Sequence, residues 1–315
     1  MPRALRQFLP LLAALVLLQV LFRAIVPNFW AHDNLLDLTQ QISVNAILAF
    51  GMTLTIMIRG IDLSVGALLA LVGTASVWTL TQGRGGFALA LLAGLAVAAA
   101  FGLLNGALTA LTRIPAFIVT LATMQVARGL ALCFNHARPM SVPSNEGAYW
   151  FLGNGKLLEF FPMPVAIMLA VFVALTYGLH FTVFGRHLYA IGGNREAAHY
   201  AGIPLAKREM AVFVLCSLCA GISGMIQTSQ LYSAEPAGGV GFELNAIAAA
   251  VVGGASLAGG AGTTFGTLLG ALIIGTLDKG LNQAGVHFSL QYIVKGLVIL
   301  AAVFADMRQR KVNQC

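Results

Sequence analysis

Ten apolar runs of roughly membrane-span length follow one another through this chain, separated by short polar turns, and no other feature limits its possible folds so strongly. About 20 apolar residues in a helix match a hydrocarbon layer roughly 30 Å thick, because each residue adds about 1.5 Å. The composition agrees. Hydrophobic residues make up 58% of the chain and charged residues 9%, with a mean hydropathy of +0.85, whereas soluble domains carry about 25% charged residues. The reading is an all-α polytopic membrane protein of about ten transmembrane helices, with broken helices near its centre. A length of 315 residues then leaves no room for a sizeable soluble domain.

The runs are Phe8–Leu21, Ile42–Ile58, Leu63–Leu80, Phe87–Leu111, Ala116–Phe134, Pro162–Thr182, Met210–Gln230, Glu243–Gly262, Thr263–Asn282 and Phe288–Phe304. The first resembles a signal peptide behind Arg3 and Arg6, yet Phe22 to Pro27 supply no small-residue cleavage site, so it reads as an uncleaved span. Alternate turns should face the same side. On the side taken as inner stand Arg3, Arg6, Arg59, Arg113, Arg186, Arg195, Lys207, Arg208, Arg308, Arg310 and Lys311. The side taken as outer holds Arg84, Arg138 and Lys156. Eleven against three follows the positive-inside rule and puts both termini in the cytoplasm. The formal charge of +7 is explained by orientation, and no nucleic acid partner is needed.

One inner stretch, Phe184 to Glu209, is the longest polar interruption. It contains a miniature helix, read as Arg195 to Ala201. Asn194 is its cap, Glu196 sits where the helix dipole favours an anion, Gly202 lies just past the end, and Pro204 stops continuation. Two turns of helix are marginal in water, so either its own membrane domain or a partner must pack against it.

Two interruptions occupy corresponding places in the two halves. Asn45-Ala46-Ile47 opens a run that ends at Arg59-Gly60-Ile61-Asp62-Leu63-Ser64, and Asn245-Ala246-Ile247 opens one broken by Gly253, Gly254, Ser256, Gly259 and Gly260. Paired breaks of this kind point to a transporter's central path. The path candidates are Asn45, Asp62, Ser64, Asn105, Asn245, Gly253, Gly254 and Ser256. Asp62 serves equally well as a helix cap, and the asparagines as helix-contact amides. Asp278, Lys279 and Lys295 fall within the last two runs, where a structural ion pair such as Asp278 with Lys295 is expected. Gly102/Gly106 and Gly266/Gly270 have the spacing of close helix packing. Cys216 and Cys219 form a CxxC in an apolar run and read as packing residues; Cys133 and Cys315 add no disulfide framework. The six histidines form no metal-binding pair, and no phosphate-binding loop occurs, so ATP hydrolysis, where transport needs it, falls to another subunit.

The segments LTQQISVNAILAFGMTLTIMIRGIDLSVGALLAL, YAIGGNREAAHYAGI, SAEPAGGVGFELNAIAAAVVGGASLAGGAGTTFGTLLGALIIG and QYIVKGLVILAAVFAD together resemble the ribose-type permease subunits of bacterial ABC importers, over nearly the whole chain. The resemblance implies a single permease domain over 1–315 in the bacterial inner membrane, working as a homodimer. Two cytoplasmic ATPase modules would bind ATP and magnesium, and a periplasmic sugar-binding protein would deliver the substrate. It makes 184–209 the coupling loop, with Asn194, Arg195, Glu196, Ala197, Ala198 and Gly202 forming the contact with the ATPase. This chain departs from the family at Arg59, where a small or polar residue is common, and at Asn245, where an aspartate is common. Ribose or a related sugar is the expected cargo. The alternatives are another small polyol or sugar-like signal, or an ATPase-independent transporter or channel; a membrane enzyme lacks a catalytic cluster.

Overall fold

The computed structural model describes residues 8–83, 85–112 and 114–314. Arg3, Arg6, Arg84, Arg113 and Cys315 lie outside them, as do the side chains of Arg308, Arg310 and Lys311. Among the described residues are thirteen α-helices: α1 (Leu9–Ile25), α2 (His32–Met57), α3 (Val65–Thr81), α4 (Gly86–Thr112), α5 (Ala116–Cys133), α6 (Gly147–Asn154), α7 (Met163–Phe181), α8 (Val183–Gly193), α9 (Arg195–Tyr200), α10 (Leu205–Leu231), α11 (Phe242–Val252), α12 (Thr264–Gln283) and α13 (Phe288–Gln314). Five helical stretches, at α2, α4, α5 with its 3-10 extension, α7 and α10, are long and apolar enough to cross a membrane. The rest of the expected ten are shorter or more polar, α11 above all with 11 residues.

The layering is that of a protein solvated by lipid. α2 lies at the centre, packed on α7, α10, α11 and α12, and is buried almost continuously from Ile42 to Ile58. Large apolar side chains face outward instead, such as Leu17 on α1, Leu92 and Leu111 on α4, Val126 on α5, Val173 on α7 and Leu300 on α13. In lipid, such outward leucines gain nothing from burial against a neighbour, so helices associate by close packing. Small residues supply it. A Cβ on Gly102 would stand 2.6 Å from Val214 Cα, and one on Gly106 2.7 Å from Met210 Cα, so these glycines seat α4 against α10. Gly266 and Gly270 seat α12 on α11, where a Cβ would strike the carbonyls of Gly253 and Ala249. Cys216 and Cys219 pack their backbone and Cβ atoms onto Gly51 of α2, in keeping with the packing role read from their surroundings.

Several boundaries depart from the sequence reading: α1 runs on to Ile25, and α10 starts at Leu205, five residues before Met210. α2 begins ten residues before Ile42, because its polar start is tied down: Asn34 donates to Phe29 O at 2.7 Å and Lys279 stands 3.8 Å from Asp37. The long segment 135–161 is not featureless; it carries α6, whose Tyr149 is fully buried and whose Gly153 N–H donates to Ser229 Oγ at 2.9 Å. Short antiparallel pairs join Met140–Ser141 to Ser233–Ala234 and Lys156–Leu157 to Phe161–Pro162.

Another departure concerns 231–242, the segment left between the runs Met210–Gln230 and Glu243–Gly262. Gly239 packs against Gly66 in the first turn of α3, and Arg128 of α5 donates to Pro236 O at 2.8 Å and Gly238 O at 2.5 Å. The segment therefore turns back into the bundle, which is permissible at such depth only because protein groups satisfy its carbonyls. α11 starts from there, with the Glu243 carboxylate accepting the Gly241 N–H at 3.1 Å. The expected Asp278–Lys295 pair is present at 3.0 Å.

Candidate functional site

The polar stretch at 184–209 holds two helices, α8 and α9, and the first turn of α10, rather than one helix in a loop. α8 was hidden by Arg186, His187 and its two terminal glycines, yet it buries Gly185, Leu188, Ile191 and Gly192 along one face. α9 then runs Arg195–Tyr200, with Ala201 as its C-cap, one residue shorter than read from the sequence. Its start is the expected one: Asn194 Oδ1 accepts the Ala197 N–H at 3.0 Å. Its end is a Schellman motif. Gly202, at φ +78°, donates to His199 O at 2.9 Å, and Ile203 donates to Ala198 O at 3.1 Å.

The anchoring of α9 solves its stability problem. Ala198 is its one buried residue, and it lies in a cluster with Leu188, Ile191, Val212, Phe213 and Met57. Arg195, with its side chain about half exposed, forms a two-pronged ion pair with Glu209 of α10, one prong at 3.2 Å; Glu209 is only 2% exposed. Nearby, Arg208 donates to His187 Nδ1 at 3.0 Å. The opposite face is free: Glu196, Ala197, His199 and Tyr200 are exposed, Tyr200 to 88%. α9 is thus exposed on one face and pinned on the other.

The break after α2 is a second Schellman motif, in which Arg59 N–H donates to Ile56 O at 2.9 Å and Gly60 N–H to Thr55 O at 2.8 Å. Arg59 occupies its left-handed position, φ +65°, which usually belongs to glycine. Below it the backbone turns inside the bundle, Gly60 lying against Phe213 and Asp62 beside Cys216. The sequence candidates Asp62, Ser64 and Asn105 come together here, all fully buried. Asp62 Oδ1 accepts both the Ser64 N–H at 2.9 Å and the Ser64 hydroxyl at 2.5 Å, so the aspartate holds the entry to α3. Asn105 Nδ2 donates to Ser64 Oγ at 3.0 Å, and Thr123 donates to Asn105 Oδ1 at 2.6 Å. Thr120 donates to Ile61 O at 3.0 Å and accepts the Leu63 N–H at 3.1 Å. This chain of bonds ties the break to α4 and α5.

The break after α11 is a third Schellman motif, centred on Gly254 at φ +92°, with Gly259 and Gly260 also left-handed. Ser256 is buried within it and donates its N–H to Ala261 O at 3.0 Å. The two breaks touch, since Gly260 N–H donates to Met57 O at 2.9 Å. The C-terminus of α8 closes over both. A Cβ on Gly192 would overlap Met57 O and Gly260 N, and Tyr189 donates its hydroxyl to Gly262 O at 2.7 Å. Burial pushes the Tyr189 phenol above its ordinary pKa. Asn45 and Asn245 stand apart from this junction, half-buried on α2 and α11, which pack on each other. Asn45 Oδ1 is buried with no hydrogen-bond partner among the described residues. Gly253 packs on α12 at Gly266.

Two basic residues that tie these parts together were not singled out as site residues from the sequence. Arg128 is the clamp on 236–238; its signal was a lone arginine in an apolar run, since such a charge needs partners at depth. Arg59 stood out in the sequence only as a departure.

The family described as "Branched-chain amino acid transport system / permease component" matches residues 34–303. The ribose import permease protein RbsC of Escherichia coli (strain K12) is 44% identical over 301 residues, covering 95% of this chain and 93% of that protein. RbsC of Bacillus subtilis (strain 168) is 42% identical over 295 residues, 94% and 91% of the two chains. The L-arabinose transport system permease protein AraH of Escherichia coli (strain K12) is 37% identical over 307 residues, 95% and 91%. No solved structure matches the chain. With its motifs, its broken helices and its full-length similarity in agreement, the chain belongs to the family of branched-chain amino acid transport system permease components.

Proposed function

We propose that the chain is the membrane-embedded permease subunit of an ATP-driven ABC importer that carries a monosaccharide, ribose or a close relative, from periplasm to cytoplasm. The observation that carries this reading is the 44% identity, end to end, with a protein named as a ribose import permease. The geometry supports it. A rigid, exposed helix is pinned directly beside two broken helices, which is the arrangement a transporter needs if a separate motor is to move its path.

In this proposal the whole chain, 1–315, is one transmembrane domain of about ten crossings, with both termini cytoplasmic, in the bacterial inner membrane. The segment 184–209 is its coupling loop. Asn194, Arg195, Glu196, Ala197, Ala198 and Gly202 build the knob that seats in an ATPase subunit, which binds the ATP and magnesium. A periplasmic binding protein delivers the sugar, and a second, identical copy completes the path. Asn45, Asn245 and the backbone of Gly253, Gly254 and Ser256 are assigned to that path. Asp62, Ser64 and Asn105 border it by fixing the α2–α3 turn. Selection among sugars rests mainly with the binding protein, as relatives named for ribose, D-allose and L-arabinose are 44%, 36% and 37% identical to this chain over more than nine-tenths of its length.

Uptake of radiolabelled ribose, allose and arabinose tests the proposal in cells lacking their own pentose and hexose importers. The permease is supplied with its binding protein, and with or without its ATPase. Accumulation that requires the ATPase is the expected result; accumulation driven without it would point to a secondary transporter. Glu196→Lys or Gly202→Pro should abolish ATP-dependent accumulation while leaving the protein in the membrane. Proline cannot adopt the positive φ of residue 202.

A further inference from the structure

We propose that Arg59 is the positioning residue that couples the α8–α9 element to the two helix breaks, so that displacement of α9 is transmitted to both at once. The inference rests on the permease reading above and concerns a residue that reading leaves without a role.

Four observations converge on it. Arg59 Nε donates to Gly192 O at 2.9 Å and Arg59 Nη2 donates to Gly193 O at 2.8 Å, which are the last carbonyls of α8 and immediately precede the α9 cap. Arginine's planar, fixed donors hold two adjacent carbonyls in one orientation, as lysine's single ammonium does not. Arg59 also lies over the second break, since a Cβ on Gly259 would meet Arg59 Cγ. Finally, its backbone sits in a left-handed C′ position that glycine fills without strain. At the equivalent positions ending α9 and α11, the chain does use glycine, at Gly202 and Gly254. Only the side chain at 59 therefore recommends arginine there.

The consequence is mechanical. α8 is already bonded to the second break through Tyr189 and Gly262 O, but it meets the α2 break at Met57 only through close contact of Gly192, which resists pushing far more than pulling. The two hydrogen bonds from Arg59 make the junction resist separation as well. When a partner draws α9 outward, the α2 break follows. Gly260, bonded to Met57 O, carries the α11 break with it.

The test uses the complete complex of permease, ATPase and binding protein in proteoliposomes. The readouts are ATP hydrolysed and sugar accumulated, with the sugar that the unaltered complex takes up best among ribose, allose and arabinose. Arg59→Gly removes the guanidinium while suiting the backbone, so folding is preserved. Arg59→Gly should leave hydrolysis within about twofold of the unaltered complex and lower sugar moved per ATP by about fivefold or more, the size of an ordinary coupling term. Arg59→Lys should recover part of that ratio. An unchanged ratio in Arg59→Gly, or an equal loss of hydrolysis and uptake, overturns the inference. Absence of ATP-dependent uptake by the unaltered complex would overturn the permease reading instead, so the two failures are distinct.

Discussion

At the scale of single residues, the buried bonds around Asp62 set how firmly the α2–α3 turn is held. An interhelical hydrogen bond in a membrane contributes only about 0.6 kcal/mol on average. Stranding buried partners costs more, about 1–3 kcal/mol. Asn105→Ala leaves both Ser64 Oγ and the Thr123 hydroxyl without their amide partner. It should therefore lower the stability of the purified protein by about 1–3 kcal/mol, seen as an earlier thermal unfolding transition in detergent. Asn194→Ala removes the one side-chain cap of α9, which is worth about 1 kcal/mol. That energy is small against whole-protein stability and large for a six-residue helix. Thermal stability should barely change, while amide exchange at Arg195–Tyr200 rises by about fivefold, the factor corresponding to 1 kcal/mol.

At the scale of elements, the short helices decide function. α11 is 11 residues long, about 16 Å at 1.5 Å per residue, and is bounded by non-helical backbone at both ends. Its upstream boundary depends on Arg128, whose two carbonyl contacts hold 236–238 inside the bundle. Arg128→Leu should release that segment, so that a cysteine placed at the buried position of Pro236 reacts faster with a membrane-impermeant thiol reagent; unchanged labelling would show that other contacts suffice. How much was legible in the sequence follows the same division. α4, α5 and α7 could be placed within two residues, because their apolar runs end at glycine, proline or polar clusters with no competing pattern. The α9 cap, its glycine and its position between basic residues were legible for the same local reason. What escaped was decided by distant partners. The polar start of α2 is held by Gln283 and Lys279, some 240 residues away, and the inward turn of 231–242 is held by an arginine on α5. α8 escaped because its buried face is made partly of glycine, which hydropathy does not register. Asp62, Ser64 and Asn105 were identifiable as polar residues in oil, but their assembly into one chain of bonds needed the fold.

At the scale of the whole molecule, the burial pattern sets both topology and assembly. If the eleven-to-three charge asymmetry fixes orientation, reporters fused at either terminus should both signal a cytoplasmic location, and one inserted at 156 should signal the opposite side. The same reporter data check that the number of crossings is even, as ten requires, because an odd number would separate the termini. The central helix has a further consequence, one of timing. α2 is the least apolar of the five long candidates and is almost wholly enclosed from Ile42 onward, yet α11 and α12, which help enclose it, begin only about 185 residues or more after it ends. At about 5–20 residues per second, the ribosome takes roughly 10 to 40 seconds to supply them. Throughout that interval the face of α2 that α11 and α12 cover stays open, with α7 and α10 in place against the helix, so a truncated chain ending before Phe242 is a natural target for membrane quality-control proteases.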